Sequence, residues 1–462
     1  MTAPGPYTLR LALPDGDEVD VGTLRVNRGR GRETSLFTYA ESYLRDPRHY
    51  AIDPDLPLTA GPIATGPSRT MFGAIGDSAP DRWGRNLLRR AERRAAADDG
   101  RTARELMESD FLVGVHDDLR QGALRYVDAS GSYVASTQGG VPRIVDLPRL
   151  LSLTERALKD PNLDTDIKDL IDAGSSLGGA RPKAAVRDHD DTLRIAKFPR
   201  TGDGADEWEV EAWEKIALDL AAAAGITVPR NHLVKVAGHR VLLLDRFDRD
   251  GERRIGYVSA MTMLGLADGD DRVPLAELAE QMQVDSAAPE NDLRELYRRG
   301  LFGLLVSNTD NHARNHGFLR TSTGWRLSPA FDINPNPDGR AFAMPLDPGG
   351  SDDIEDALTI ADTFRLTRTE AIDELRRVLE AVEGWRRKAA DIGADPREVT
   401  RMAAAFESGR TEQARRIIER GSGDGGPPAH RRPSGPQPRH PKGTSSGGQF
   451  AVTPKTEPDV SL

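Results

Sequence analysis

The chain has 462 residues, of which 37% are hydrophobic and 29% charged, enough for two or three globular domains with a sizeable core. Its formal net charge of −10 argues against general affinity for nucleic acid, because a backbone binder needs surplus Lys and Arg on one face. The absence of Cys excludes disulfides and thiolate metal sites, and no window approaches the ~20 apolar residues of a membrane span, so a cytoplasmic protein is expected.

Residues 1–76 alternate over short stretches (7–13, 22–26, 35–40) broken by Gly, Pro and Asp, which predicts a small β-rich unit. A helix-entry signal follows at Asp77-Ser78-Ala79-Pro80-Asp81-Arg82-Trp83-Gly84-Arg85, and then a basic helix over 86–97 whose Arg run reads as a solvated face. Strands are expected at 111–115 and 122–127, and helices at 147–158 and 164–172. Next stands a Gly-rich run, 174–183, whose small residues would let backbone N–H groups approach a phosphate chain. A strand over 184–187, a turn and a second strand over 193–198 come after it. Lys197 is flanked there by apolar residues, and it reads either as a snorkelling edge lysine or as a partner for triphosphate oxygens.

A helix over 208–225 carries Trp213, Ile216, Leu220 and Ala224 on one side and four Glu elsewhere; Glu214 is the first choice as partner of Lys197. Strands at 231–236 and 240–244 lead into Asp245-Arg246-Phe247-Asp248-Arg249, where two lobes could hinge. Beyond about 256 the chain is expected to be mostly helical. An amphipathic helix bearing Leu293, Leu296, Leu301, Leu304 and Leu305 enters Ser307-Asn308-Thr309-Asp310-Asn311-His312-Ala313-Arg314-Asn315. Phosphoryl-transfer enzymes use an Asp and an Asn at this spacing, the first to orient a hydroxyl and take its proton, the second to hold a metal ion. Taken singly such residues are turn formers. Here a hairpin (317–320 and 325–328) follows the loop and delivers a second acid, Asp332, between Phe331 and Ile333. A capping box at Thr367–Glu370 opens a helix with Ala371, Leu375, Val378, Leu379 and Val382 on one face, and further helices are expected at 397–406 and 411–419. Residues 421–462, rich in Gly, Pro and Ser, read as a disordered tail.

These motifs together resemble the HipA family of serine/threonine-protein kinases, known as toxins of bacterial toxin–antitoxin pairs. The resemblance rests on residues 176–183, 195–198, 245–249, 308–315 and 327–333, with 76–85 matching the family's N-terminal region. It implies an α+β fold with a β-rich N-terminal lobe and a mostly helical C-terminal lobe, divided as 1–105, 106–248, 249–420 and a tail over 421–462. It implies Mg2+ and ATP as cofactors. Gly178, Gly179, Ala180 and Lys183 would cover the phosphates and Lys197 would contact them. Asp245 and Phe247 would meet the adenine, Asp310 would be the catalytic base, and Asn315 and Asp332 would hold Mg2+. His312 would lie beside the phosphates or orient the loop, and Ser176 would be the autophosphorylated serine. Two departures are Arg314, where the best-known members have Lys, and the stiff Arg181-Pro182 pair. Implied partners are a protein substrate such as an aminoacyl-tRNA synthetase and a HipB-like antitoxin, with DNA reached only through the latter and no membrane. The alternative expectation is a nucleotide-binding regulatory module without transfer activity.

Overall fold

Alternating apolar residues build the first sheet of this computed structural model, which describes residues 5–421 apart from 30, 68, 136–140, 160–169, 171–180, 201–205, 268–272, 340 and 348. In β1 (Tyr7–Ala12), Tyr7, Leu9 and Leu11 are buried and the residues between them are more open, the period-two pattern of a sheet with one wet face. With β2 (Glu18–Gly29), β3 (Arg32–Tyr39), β4 (Pro62–Ala64) and β5 (Leu124–Val127) it forms an antiparallel sheet in the order β4-β3-β2-β1-β5. The helix Arg82–Asp98 follows, with the Asp81 carboxylate accepting from the Gly84 amide as its N-cap.

The strand expected at 111–115 is instead a helix, Glu108–Val113. A short apolar run has no periodicity to separate strand from helix. Its first turn is fixed by polar groups: Asp110 accepts from the Met107 amide, and Ser109 donates through backbone and hydroxyl to Glu33 on β3. The helix expected at 164–172 lies almost wholly outside the described residues, as does the tail from 422.

A second antiparallel sheet contains β6 (Lys183–Arg187), β7 (Leu193–Lys197), β8 (Asn231–Val236) and β9 (His239–Asp245) in the order β6-β7-β9-β8. One face, with Ala184, Val186, Ala196, Val241 and Leu243, packs on Leu150, Leu151 and Leu153 of the helix Leu147–Lys159. The other, with Leu242 and Leu244, shares a core with Trp213, Ile216 and Leu220 of the helix Val210–Ala223. A small ribbon, β10 (Arg249–Asp250) and β11 (Arg253–Arg254), leads to β12 (Tyr257–Ser259). That strand pairs with β13 (Gly317–Thr321), which pairs in turn with β14 (Gly324–Leu327). The hairpin expected after the 307–315 loop is therefore the outer part of a three-stranded sheet. Gly317 allows this packing, since a Cβ there would stand 2.3 Å from the Tyr257 ring.

The remainder is largely helical, and the fold is α+β with a β-rich N-terminal part and a largely helical C-terminal part. The helices Leu275–Asp285, Pro289–Leu305, Arg368–Val382, Trp385–Asp391 and Pro396–Phe406 bury their apolar faces in the core that holds Trp213. Thr367 and Glu370 form the expected capping box. Contacts divide the chain into two units, Met1–Glu419 and Arg420–Leu462. Among the described residues no helix is long and apolar enough to cross a membrane.

Candidate active site

The helix Pro289–Leu305 starts on Pro289, whose fixed φ suits a first helical position, and Leu293, Leu296, Leu301, Leu304 and Leu305 are all buried. It stops because Ser307 turns into the left-handed region, φ +52°, where a non-glycine residue needs compensation. The compensation is visible. Ser307 Oγ donates to Ala405 O at 3.0 Å, Arg410 donates to Ser307 Oγ at 3.1 Å, and the Asn308 amide donates back to Gly303 O at 2.9 Å. The chain is thereby delivered into the loop at a set angle.

Within the loop, Asn315 is buried and donates through Nδ2 to the Asp310 backbone carbonyl at 3.0 Å, which ties the two expected catalytic positions together while Asp310 itself stands exposed. His316 Nε2 lies 2.9 Å from Asn311 Oδ1. Burial, helped by Arg299 and His312, lowers the His316 pKa to about 3, so this ring is neutral at physiological pH. His312 has a buried Nδ1 with no hydrogen-bond partner among the described residues. The loop is then tied to the segment of the second acid: the Asn334 amide donates to Asn308 Oδ1 at 3.1 Å, and Asn336 donates to the Ser307 carbonyl at 3.1 Å and to Thr309 Oγ1 at 2.9 Å.

Asp332 is the second non-glycine residue of this region with positive φ, +59°. Its carboxylate accepts from Lys197 Nζ at 2.7 Å and from Asn334 Nδ2 at 3.3 Å. Lys197 Nζ also donates to both oxygens of Glu214, at 2.7 and 2.8 Å, so one ammonium joins a strand, a helix and the second acid. Burial would disfavour the charged form of Lys197, but Asp332 and Glu214 outweigh it and raise its pKa. Burial would likewise raise Asp332, but Lys197 and then Lys183 hold it well below the usual carboxylate range. Glu214 is raised, chiefly by burial and against the pull of Lys197. The ammonium is protonated and Asp332 ionised at neutral pH.

Lys183 sits opposite Lys197 in the β6–β7 register, and its ammonium lies 3.0 Å from Asp81 Oδ2. Burial, against the pull of Lys183, pushes Asp81 up to about 6. Asp81 was expected only as part of a helix entry; its contact with Lys183 joins segments too distant in sequence for periodicity to reveal. The same holds for Asp77, which accepts from the Ser259 amide and hydroxyl at 2.7 and 2.8 Å. Asn308 and Asn334 also escaped the sequence reading, because an Asn in a polar loop carries no signal beyond turn formation.

Asp245 and Phe247 take separate places. The Asp245 carboxylate accepts from Arg194 Nε at 2.7 Å, on the sheet face that carries Ala196 and Leu243, opposite to the face of Lys197 and Leu242. Phe247 packs between Phe331, 5.4 Å between ring centroids, and Tyr257, 6.3 Å, next to the Asp332 segment. Within the same motif, Arg246, Asp248 and Arg249 form a buried cluster that donates to the Leu119 and Arg120 carbonyls and accepts from the Gly122 amide. Ser176, Gly178, Gly179 and Ala180 lie outside the described residues.

The donor set suits a hard divalent cation: an ionised Asp332 carboxylate, the Asn315 amide oxygen, and Asn334 Oδ1, which is buried and without a hydrogen-bond partner among the described residues. Lys183 and Lys197 are paired in register on adjacent strands, the first ammonium facing Asp81 and the second Glu214 and Asp332.

The chain is similar to known proteins in sequence and in fold. Residues 175–386 match the family of the HipA-like C-terminal domain. Two curated relatives bear the name "Putative kinase". One, Y4mE of Sinorhizobium fredii, is 27% identical over 149 residues, 30% of this chain and 33% of that protein. The other, from Haemophilus influenzae, is 25% identical over 154 residues, 29% of this chain and 45% of that protein. The matched stretch thus spans less than half the length of either relative. Among solved structures, the Shewanella oneidensis toxin–antitoxin complex of HipA, HipB and its operator DNA contains a chain that superposes with a TM-score of 0.60 at 17% identity. It covers 89% of this chain and 99% of that one, and it establishes likeness of fold.

Proposed function

We propose, for a chain whose residues 175–386 are a HipA-like C-terminal domain, that the protein is an ATP-dependent serine/threonine kinase. The observation that supports this most is the Lys197 ammonium, held between Glu214 and Asp332. This is the arrangement a kinase needs to set one positive charge against the nucleotide phosphates and one carboxylate against the metal ion. Lys197 and Lys183 would bind and orient the phosphate chain, with the backbone of 178–180 covering it. The aromatic face of Phe247 and the backbone at Asp245 would border the base, since the Asp245 side chain is engaged by Arg194. Asp332 and Asn315 would hold Mg2+, which when bound would offset charge on the phosphate oxygens. Asp310, exposed and fixed in backbone position by Asn315, would receive the acceptor hydroxyl and take its proton as that oxygen attacks the γ-phosphorus and ADP leaves. His312 would turn its unpartnered Nδ1 toward this polar region.

Ser176 would be the site of autophosphorylation; a phosphate there would place roughly −1.5 to −2 charges where the nucleotide phosphates belong and silence the enzyme. A HipB-like antitoxin would be its DNA-binding partner, and its target a component of translation such as an aminoacyl-tRNA synthetase, phosphorylated in the cytoplasm.

The test is phosphate transfer from ATP with Mg2+ in the wild type and in Asp310→Asn. Transfer is expected to fall by at least about 10²-fold with melting temperature and nucleotide binding retained. Undiminished transfer in the variant would remove Asp310 from the mechanism.

A further inference from the structure

The helix Val210–Ala223, which carries Glu214, has no cap from its own sequence. Its N-cap residue, Glu209, makes no side-chain capping bond. Ala212 stands at N3, where a capping box would place the acid that accepts from the N-cap amide. That acid comes from elsewhere. Glu398, 189 residues after Glu209 and in the first turn of the helix Pro396–Phe406, accepts from the Glu209 amide at 3.1 Å. Its other oxygen accepts from Trp213 Nε1 at 2.8 Å. A carboxylate here also suits the positive end of the helix dipole.

The bond to Trp213 bears on the site. Trp213 directly precedes Glu214, so the two side chains leave the helix about 100° apart. The buried indole packs on Trp385 and Phe406, with ring centroids at 6.2 and 6.1 Å, and its N–H ends on Glu398. Apolar packing is non-directional, whereas this hydrogen bond has a fixed direction and sets the rotation of the helix about its axis. A turn of about 20° would sweep a carboxylate lying ~6 Å from the axis through roughly 2 Å. That is enough to part Glu214 from the Lys197 ammonium, which now meets its two oxygens at 2.7 and 2.8 Å. A second tie acts on the same end of the helix: Arg240 of β9 pairs with the Glu209 carboxylate and donates to the Ile392 and Gly393 carbonyls at 3.0 and 2.8 Å.

We propose that Glu398 is a positioning residue of the nucleotide site, a role that rests on Lys197 being the lysine that orients the phosphates. Glu398 fixes the rotation of the helix Val210–Ala223 through Trp213 and so keeps Glu214 on Lys197. It acts through these residues and not by touching the nucleotide.

The experiment is calorimetric titration with ADP and Mg2+, which bind without transfer, on the full chain and on Glu398→Ala, Glu214→Gln and the double variant, beside a thermal melt of each. Glu214→Gln is expected to weaken ADP about tenfold and Glu398→Ala at least about threefold, and the double variant is expected to bind no more weakly than Glu214→Gln alone. A merely structural contribution of Glu398 would instead multiply the two losses. Glu398→Gln, which keeps one acceptor oxygen, and Glu214→Asp carry the test where the first variants do not fold. ADP affinity unchanged in Glu398→Ala, or losses that multiply in the double variant, overturns the proposal while Glu214→Gln still upholds the role of Lys197. Affinity unchanged in Glu214→Gln, or no ADP binding by the wild type, removes that role and the proposal with it.

Discussion

Lys197 and Glu211 show how differently burial acts on single residues of this site. Lys197 keeps its proton because two carboxylates face it, whereas Glu211, one turn before Glu214, has Arg181 only at 3.9 Å and a buried Oε1 without a hydrogen-bond partner among the described residues. Burial pushes Glu211 up to about 7. The unfolded chain releases this proton near pH 4.3 and the folded chain holds it to about 7, so between these values the folded state binds the extra proton and stability falls as pH rises. Glu211→Gln is expected to flatten this slope, with the wild type losing up to about 3 kcal/mol more than the variant between pH 5 and 8. Urea unfolding across that range measures it; equal slopes would contradict it. At this scale the sequence was informative where one residue contradicted its neighbours. A Lys among apolar strand residues and an Asp between Phe and Ile announce themselves. Glu211 did not, being one of four acids on a helix whose buried face only packing could distinguish.

The helix Arg82–Asp98 and strand β6 illustrate the next scale, since Asp81 serves both. Its carboxylate caps the helix at 2.8 Å from the Gly84 amide and faces Lys183 at 3.0 Å. Asp81→Ala is expected to cost about 1 kcal/mol from the cap alone, while Asp81→Asn keeps an acceptor for the cap and loses the charge. Without that charge, Lys183 would turn toward Asp332, whose field it already shares. Asp81→Asn is then expected to raise KM for ATP several-fold with kcat and melting temperature nearly unchanged, read from steady-state kinetics beside a thermal melt. A fall in kcat at constant KM would contradict this positioning role. Long periodic elements were legible, among them the helices entering the catalytic loop and following Thr367, and the strands around Lys197. The segment Glu108–Val113 was not, because a six-residue helix holds too few turns for periodicity and its start is fixed by contacts with β3.

Across the whole molecule, the buried cluster of Arg246, Asp248 and Arg249 joins the second sheet to residues 119–122 of the N-terminal part. Burial alone would raise Asp248, but Arg246 and Arg249 hold it well below the carboxylate range. Asp248→Asn leaves two buried guanidinium groups without their counter-charge and is expected to cost roughly 3–5 kcal/mol in urea unfolding. A loss under 1 kcal/mol would show that the carbonyl contacts suffice. The motif at 245–249 was read as a hinge for adenine, and most of its charged residues instead fasten one part of the chain to another. Such long-range pairing leaves no trace in local pattern. The central claim is that Lys197, Asp332 and Asp310 together move phosphate. The most direct measurement is incubation of the purified chain with Mg2+ and γ-labelled ATP, followed by mass spectrometry of the labelled peptide. Label on Ser176 in the wild type and none in folded Asp332→Asn is the predicted result. Label of equal intensity in Asp332→Asn, or a wild type that binds no ATP, would contradict it.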